Sequence, residues 1–224
     1  FEDLLKEYTD QLYYLPKDSL GGLDSIYAHD SLQVTKHGAI YFNMGKSVRQ
    51  DEGIASEKYL KSLGIPTLGR IEAPGTMEGG DILWLDEKTV AIGLSFRTNQ
   101  EGIRQFTELV KDFVDEVITV PLPYGPGPGE VLHLMSLVSM IDDDLAVVYS
   151  EYLPVFFRQL MIERGIELLE VSREEYDRLG GNILAMAPRQ CIMMVGTPLI
   201  EEELRARGCQ VQTYEGANIT VLGH

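Results

Sequence analysis

Four polar residues recur along this chain at nearly equal intervals, each at the start of an apolar, hairpin-like segment. Asp30, Asp81, His133 and Asn182 are separated by 51, 52 and 49 residues. Two carboxylates, an imidazole and an amide that met at one point could bind a cation and move protons, because histidine titrates near neutral pH. A repeat of this length is typical of stacked or ring-like units. A ring would bring the four positions to one centre, where they would form a site.

Further acids stand close to two of these positions. Glu78 precedes a glycine pair and Asp81, and the glycines let the backbone turn tightly and approach a ligand closely. Asp24 lies six residues before Asp30. Paired carboxylates at such turns can hold a cation or tune a neighbouring base. The structural alternatives are an ordinary acidic turn before a strand and a loop with capping aspartates.

Two arginines follow the second apolar run of a hairpin segment. Arg49 and Arg97 could bind a carboxylate through two parallel hydrogen bonds, or they could simply pair with surface charges. His133 taken alone could be a core residue, but its place in the repeat predicts that it faces the same centre as Asp30 and Asp81.

The cysteines and the other histidines give no metal or cofactor signal. Cys191 occupies a position that is a core strand position in the other repeats, and Cys209 leads an outer strand, so we expect both thiols to be structural. His29 and His37 fit no metal pattern with nearby cysteines or carboxylates. We therefore expect neither a metal nor another cofactor.

The bulk properties narrow the classes of partner. The chain has 224 residues, 44% hydrophobic content and a net charge of -16, which disfavours nucleic acid and anionic membranes. The charge suits a small cationic substrate, although an acidic surface can also serve solubility alone. No signal peptide and no apolar run near ~18 residues is present, which predicts a soluble cytoplasmic protein. The sequence leaves homo-oligomerisation open.

The order of predicted elements is strand, strand, helix, strand, four times, which favours a single α/β domain over residues 1–224. Helices are predicted near residues 54–63, 101–113, 154–164 and 198–207, and Gly64, Gly165 and Gly208 are predicted to stop three of them. Residues 1–11 have helical spacing and residues 12–15 are predicted to form a strand. Residues 1–15 resemble the second half of a fifth ββαβ unit whose hairpin is missing, so the ends of the ring appear truncated. The repeat spacing places the polar residue of that hairpin just past His224.

Four segments in order along nearly the whole chain resemble the guanidino-modifying enzymes, most closely the bacterial dimethylarginine dimethylaminohydrolases. The glutamate–glycine–glycine–aspartate element and the residues before it are the most specific part of the resemblance. The segments span residues 24–30, 70–81, 97–102 and 131–134. The resemblance implies a five-bladed α/β propeller (pentein) built from ββαβ repeats, with its site in the central channel.

The resemblance also implies a chemistry, in which a cysteine thiolate attacks the guanidinium carbon of arginine or an N-methylated arginine. His133 would protonate the departing amine and then activate water, which would release citrulline from a thiouronium intermediate. Glu78 would orient His133 or hold a guanidinium nitrogen, and Asp30 would bind the guanidinium nitrogens with Asp81 supporting that carboxylate cluster. The remaining roles fall to residues that bind the substrate: Asp24 for the α-ammonium, and Arg49 and Arg97 for the α-carboxylate.

The family nucleophile is a cysteine that follows a stretch like Thr220–His224, so we expect it just beyond His224. His29 stands where close relatives carry an acid, which leaves the choice of substrate open. Rival functions are an arginine deiminase or dihydrolase, an amidinotransferase, and a pseudoenzyme that binds arginine without turnover. A ribosome anti-association factor shares the propeller, but the acids, His133 and the paired arginines argue against it.

Overall fold

The computed structural model describes residues 1–17 and 20–216. The chain divides into two compact units. The first, here named the N-terminal unit, comprises Tyr13–Pro121 and Leu132–Leu134. The second, the C-terminal unit, comprises Phe1–Leu12, Leu122–Val131 and Met135–His224. That residues 1–224 form a single domain stays a prediction.

The opening helix is shorter than its spacing predicts. Helix α1 covers only Glu2–Leu5. Beyond it, the Thr9 hydroxyl donates to the carbonyl of Gln11 and accepts the N–H of the same residue, at 3.1 and 3.2 Å. Such local side-chain bonds give the backbone an alternative to continuing the helix.

The strand predicted at residues 12–15 is wrong. This segment forms no strand, and its two tyrosines, Tyr13 and Tyr14, are 56% and 59% exposed. Within the described residues, no strand pairs with this segment. An apolar segment becomes a strand only when a neighbouring strand accepts and donates its backbone hydrogen bonds.

Two three-stranded sheets form the frame of the N-terminal unit. In each sheet an antiparallel hairpin is followed by a helix and by a third strand parallel to the second. The helix supplies the crossover that a parallel pair requires. The elements are β1 (Leu32–Thr35), β2 (Gly38–Tyr41), α2 (Glu52–Ser62), β3 (Thr67–Arg70), β4 (Ile82–Trp84), β5 (Thr89–Leu94), α3 (Gln100–Val110) and β6 (Glu116–Pro121).

The C-terminal unit contains two more sheets of the same design. Their strands pair in the same antiparallel and then parallel order. The elements are β7 (Val138–Asp142), β8 (Leu145–Val148), α4 (Val155–Glu163), β9 (Glu167–Glu170), α5 (Arg173–Tyr176), β10 (Leu184–Ala187), β11 (Gln190–Met194), α6 (Pro198–Ala206) and β12 (Gln210–Tyr214). The ββαβ order predicted from the sequence is therefore confirmed four times, while the fifth blade of a propeller stays a prediction.

The three predicted helix stops are confirmed. Gly64, Gly165 and Gly208 have φ angles of +79°, +82° and +79°, which glycine adopts without strain. At the first of them, the Gly64 N–H donates to the carbonyl of Lys61 at 3.0 Å, and the next N–H donates to the carbonyl of Leu60 at 3.1 Å. Each stop turns the chain directly into the outer strand of its sheet.

The middle strand of each sheet carries the core. Strands β2 and β8 are buried at every position, and β5 at all but its last, as expected for strands covered on both faces. The N-terminal unit contains an apolar cluster around Phe106, and the C-terminal unit contains one around Leu204. None of the described helices is long and apolar enough to cross a membrane.

Both cysteines lie in the core of the C-terminal unit, as the repeat predicts. Cys191 is fully buried on β11, and Cys209 is buried just before β12. Burial raises the pKa of the Cys191 thiol to about 11, so this thiol stays protonated at neutral pH.

Candidate active site

The glutamate–glycine–glycine–aspartate element forms a tight 3₁₀ turn over Gly79–Asp81, immediately before β4. A Cβ atom on Gly79 would lie 2.1 Å from the carbonyl oxygen of His29. A Cβ atom on Gly80 would lie 2.1 Å from Nδ1 of His133. Both positions therefore require glycine, because the turn packs against a neighbouring backbone on one side and against the imidazole on the other.

His133 and Glu78 form the centre of the site. The His133 Nε2 atom lies 3.0 Å from Glu78 Oε2, and both side chains are buried. The other carboxylate oxygen, Oε1, accepts the Lys46 N–H at 3.0 Å and faces Nη1 of Arg97 at 3.4 Å. The carboxylate is thus surrounded by donors on both oxygens, which is the arrangement that keeps a buried acid ionised.

The pKa of Glu78 is lowered and the pKa of His133 is raised. Burial alone would raise the pKa of Glu78, but the His133 hydrogen bond and charge, with Arg97 and the Lys46 N–H, lower it to about 2. Burial opposes the charged form of His133, yet the charge of Asp81 and the Glu78 hydrogen bond raise its pKa above the ordinary value. Both shifts favour an imidazolium beside a carboxylate, and an imidazolium can act as a proton donor.

Asp81 positions the backbone that carries His133. Its Oδ2 atom accepts the Ser95 hydroxyl at 2.6 Å, and its Oδ1 atom accepts the Leu134 N–H at 3.1 Å. The side chain is fully buried, and burial raises its pKa. These contacts hold the Asp81 carboxylate and tie it to the residue that follows His133.

Asp30 is held by Arg49, which lies at the centre of a second network. Arg49 Nη1 donates to Asp30 Oδ2 at 2.8 Å, and its Nε donates to both oxygens of Glu52 at 3.1 Å. Its Nη2 donates to Glu52 at 2.8 Å and to the Asp24 carbonyl at 3.0 Å. Although burial opposes the charge, the hydrogen bonds that Arg49 donates to Glu52 and Asp30 raise its pKa. This guanidinium orders the loop around Asp24 and Asp30.

The Asp24 carboxylate is bound by a residue that the sequence analysis did not select. Lys46 Nζ donates to Asp24 Oδ2 at 2.6 Å. This hydrogen bond is the main cause that lowers the pKa of Asp24, against the effect of burial and with help from the charges of Lys46, Arg49 and Arg97. Glu52 was also missed, although its place three residues after Arg49 at a helix start is a recognisable pairing signal.

The structure brings all seven predicted site residues into the N-terminal unit: Asp24, Asp30, Arg49, Glu78, Asp81, Arg97 and His133. Asn182, the fourth member of the repeat, belongs to the C-terminal unit. The segment Thr220–His224 and the expected cysteine lie outside the described residues. Among residues 1–17 and 20–216, no group of His, Cys, Asp and Glu side chains is arranged to hold a metal ion.

Comparison with known proteins gives the family. The family model described as arginine deiminase matches residues 23–164, which is more than half of the chain and includes every predicted site residue. The chain therefore belongs to the arginine deiminase family, whose fold is that of the penteins.

Two curated relatives cover most of the chain. The uncharacterised protein YkgA of Bacillus subtilis is 24% identical over 210 residues, which is 93% of this chain and 69% of the relative. The N(G),N(G)-dimethylarginine dimethylaminohydrolase of Pseudomonas aeruginosa is 27% identical over 190 residues, which is 84% of this chain and 68% of the relative.

A solved structure matches the architecture. The dimethylarginine dimethylaminohydrolase of Pseudomonas aeruginosa, as a cysteine-to-serine variant complexed with citrulline, superposes with a TM-score of 0.72. The match covers 86% of this chain and 69% of the solved chain at 26% identity. The ββαβ units seen here are thus those of a known α/β enzyme fold.

Proposed function

We propose that this protein is a hydrolase acting on the guanidino carbon of an arginine-type compound, with arginine and N-methylated arginine as the first candidates. The observation that carries the proposal is the buried His133–Glu78 ion pair, set beside Asp30 and Asp81. The buried carboxylate favours the imidazolium form of His133, and an imidazolium can donate a proton to a departing amine. The anionic groups around it suit a guanidinium, which is a planar cation with several donors.

The proposed reaction begins with attack of a cysteine thiolate on the guanidinium carbon. The resemblance implies that this cysteine follows a segment like Thr220–His224. As the carbon–nitrogen bond breaks, the imidazolium of His133 gives its proton to the leaving amine, and a thiouronium remains on the sulfur. The neutral His133 then takes a proton from water while the water oxygen bonds to the carbon. The carbon–sulfur bond then breaks and the remaining hydroxyl proton passes to solvent, which releases citrulline and restores the thiolate.

The neighbouring acids have separate parts in this proposal. Glu78 keeps His133 protonated and fixes the direction of its Nε2 atom, while Asp81 holds the backbone that follows the histidine. Asp30 is kept in place by Arg49 and binds the guanidinium nitrogens of the substrate. Arg97 lies near both Glu78 and Asp24, where it can contact the carboxylate end of the substrate.

The relatives support this assignment at the level of the reaction class. A relative that is 27% identical is a dimethylarginine dimethylaminohydrolase, and a solved chain that is 26% identical holds citrulline. Deimination and loss of a methylated amine differ only in the group that departs from the same carbon. The substrate, the cysteine intermediate and a cytoplasmic location are parts of the proposal.

Replacing the histidine tests the proposal. We expect His133→Ala to lower turnover of the accepted guanidino substrate by at least about a hundredfold, because it removes the proton donor. His133→Asn provides a matched variant, since its amide can still donate to Glu78. Circular dichroism and thermal unfolding should show both variants folded. Unchanged specific activity in the folded fraction of either variant would contradict the assigned role.

A further inference from the structure

We propose that Lys46 determines substrate preference at the end of the site remote from the guanidino carbon. The Lys46 ammonium binds the Asp24 carboxylate, which would otherwise bind the α-ammonium of a substrate. The site therefore prefers ω-guanidino carboxylic acids that lack an α-ammonium to free amino acids such as arginine. The inference rests on the proposed function, since it concerns the other end of the same substrate.

Lys46 makes hydrogen bonds through both its backbone and its side chain. Its N–H donates to Glu78 Oε1 at 3.0 Å, and its Nζ donates to Asp24 Oδ2 at 2.6 Å. The preceding Gly45 packs closely on Arg97, because a Cβ atom there would lie 2.5 Å from the Arg97 carbonyl oxygen. The residue therefore links the acid that orients His133 to the acid predicted to bind the α-ammonium.

The Lys46–Asp24 pair remains accessible to a ligand. The side chains are 42% and 30% exposed, so solvent weakens their attraction and the pair can be displaced. An arriving α-ammonium would have to share one carboxylate with the Lys46 ammonium. Two like charges at that distance repel each other, so the α-ammonium would be bound less well than at a vacant carboxylate. Arginine is then accepted at a higher KM and is not excluded.

A carboxylate at the same end would be bound more favourably. Arg49 already makes close hydrogen bonds to Glu52 and Asp30, whereas Arg97 faces Glu78 at the long distance of 3.4 Å. Charge-assisted hydrogen bonds are normally ~2.7–2.9 Å, so the Arg97 contact is weak and the guanidinium can turn to a ligand. Lys46 and Arg97 together would then bind an acid group.

A pair of ligands that differ only in the α-ammonium tests the proposal. Binding of L-arginine and of 5-guanidinopentanoate, which is arginine without its α-ammonium, is measured by isothermal titration calorimetry on the full-length protein. We expect the wild-type protein to bind 5-guanidinopentanoate more tightly. In Lys46→Met, the affinity ratio should move toward arginine by about tenfold, because Asp24 is released and the repulsion is lost.

Two further variants make the result specific to this residue. Lys46→Arg keeps a cation and should keep the wild-type preference. Lys36→Met removes the ammonium of an exposed ion pair with Glu87, 79% and 84% exposed, and should leave the ratio unchanged. Each variant is compared with the wild-type protein by circular dichroism.

The outcomes separate this inference from the proposed function. If both ligands bind but the ratio is the same in Lys46→Met, or if the wild-type protein prefers arginine, the role of Lys46 is refuted while the hydrolase proposal stands. If neither ligand binds the wild-type protein, both proposals fail.

Discussion

His133 and Glu78 form a buried ion pair whose partners hold each other in their charged forms. A carboxylate with donors on both oxygens keeps its charge despite burial, and its charge in turn raises the pKa of the imidazole. The residue proposed to donate a proton is thus favoured in its protonated form by the carboxylate that it contacts. This coupling is measurable, because it makes the protonation of His133 depend on Glu78.

We expect NMR titration to place the pKa of His133 above its ordinary value of 6.5, because the charge of Asp81 and the Glu78 hydrogen bond outweigh burial. In Glu78→Gln, the pKa of His133 should fall, since the carboxylate is removed while the side-chain volume is kept. A wild-type pKa at or below 6.5, or no change in the variant, would contradict the ion pair.

The same shifts set the pH range of the pair's contribution to the free energy of unfolding. His133 has a raised folded-state pKa, so its contribution is complete below pH 6.5 and is lost as the pH rises through the folded-state value. Glu78 has a lowered pKa of about 2, so its contribution is present above its ordinary value of 4.5 and is lost as the pH falls toward 2. The pair therefore stabilises the fold most in the mildly acidic range.

Residue types and spacing were enough to select the central residues but not all of their partners. Glu78, Asp81 and His133 stand out because glycines and a repeat mark their positions. Lys46 does not stand out, since a lysine in a loop is normally a surface residue. Its contact with Asp24 depends on how two loops approach each other, and that approach is set by packing which the periodicity of the chain does not encode.

At the scale of elements, the short turn over Gly79–Asp81 determines where the side chains of the candidate site lie. It places Glu78 before the turn and Asp81 at its end, both directed toward the segment that carries His133. The turn can do this only because its two glycines leave room for the backbone near His29 and for the imidazole. The site geometry is therefore sensitive to a single methyl group.

We expect Gly80→Ala to lower activity strongly and to reduce the free energy of unfolding by about 1–3 kcal/mol, because the new Cβ overlaps the His133 ring and must displace it. Gly129→Ala is the matched control, since a Cβ atom there meets nothing within 4 Å. Urea unfolding and turnover are measured for both. Wild-type activity in Gly80→Ala would show that the imidazole is not held against this turn.

Helices and strands were predicted correctly where an apolar pattern and a turn or capping residue indicated the same element. The hairpins, crossover helices and glycine stops were each marked by apolar runs together with turn or capping residues, and the structure has them. The opening strand at residues 12–15 rested on apolar residues alone. A strand exists only if another strand accepts its hydrogen bonds, and that partner cannot be read from the segment itself.

At the scale of the whole molecule, the chain is a set of ββαβ units, two in each compact unit. The repeat of polar residues predicted these units, because each unit begins its hairpin at an equivalent position. Of those residues, Asp30, Asp81 and His133 lie in the N-terminal unit and Asn182 lies in the C-terminal unit, and their convergence on one centre stays a prediction. A fifth blade and a cysteine nucleophile beyond His224 stay predictions.

The most direct measurement follows the guanidino carbon itself. The full-length protein is incubated in ¹⁸O-labelled water with L-arginine or N-methylated arginine carrying ¹³C at that carbon, and the products are identified by NMR and mass spectrometry. The account predicts the ureido carbon of citrulline, with ¹⁸O attached, together with ammonia or a methylated amine. A label that stays in the guanidino group, or that moves to another amine without gaining ¹⁸O, would contradict hydrolysis at this site.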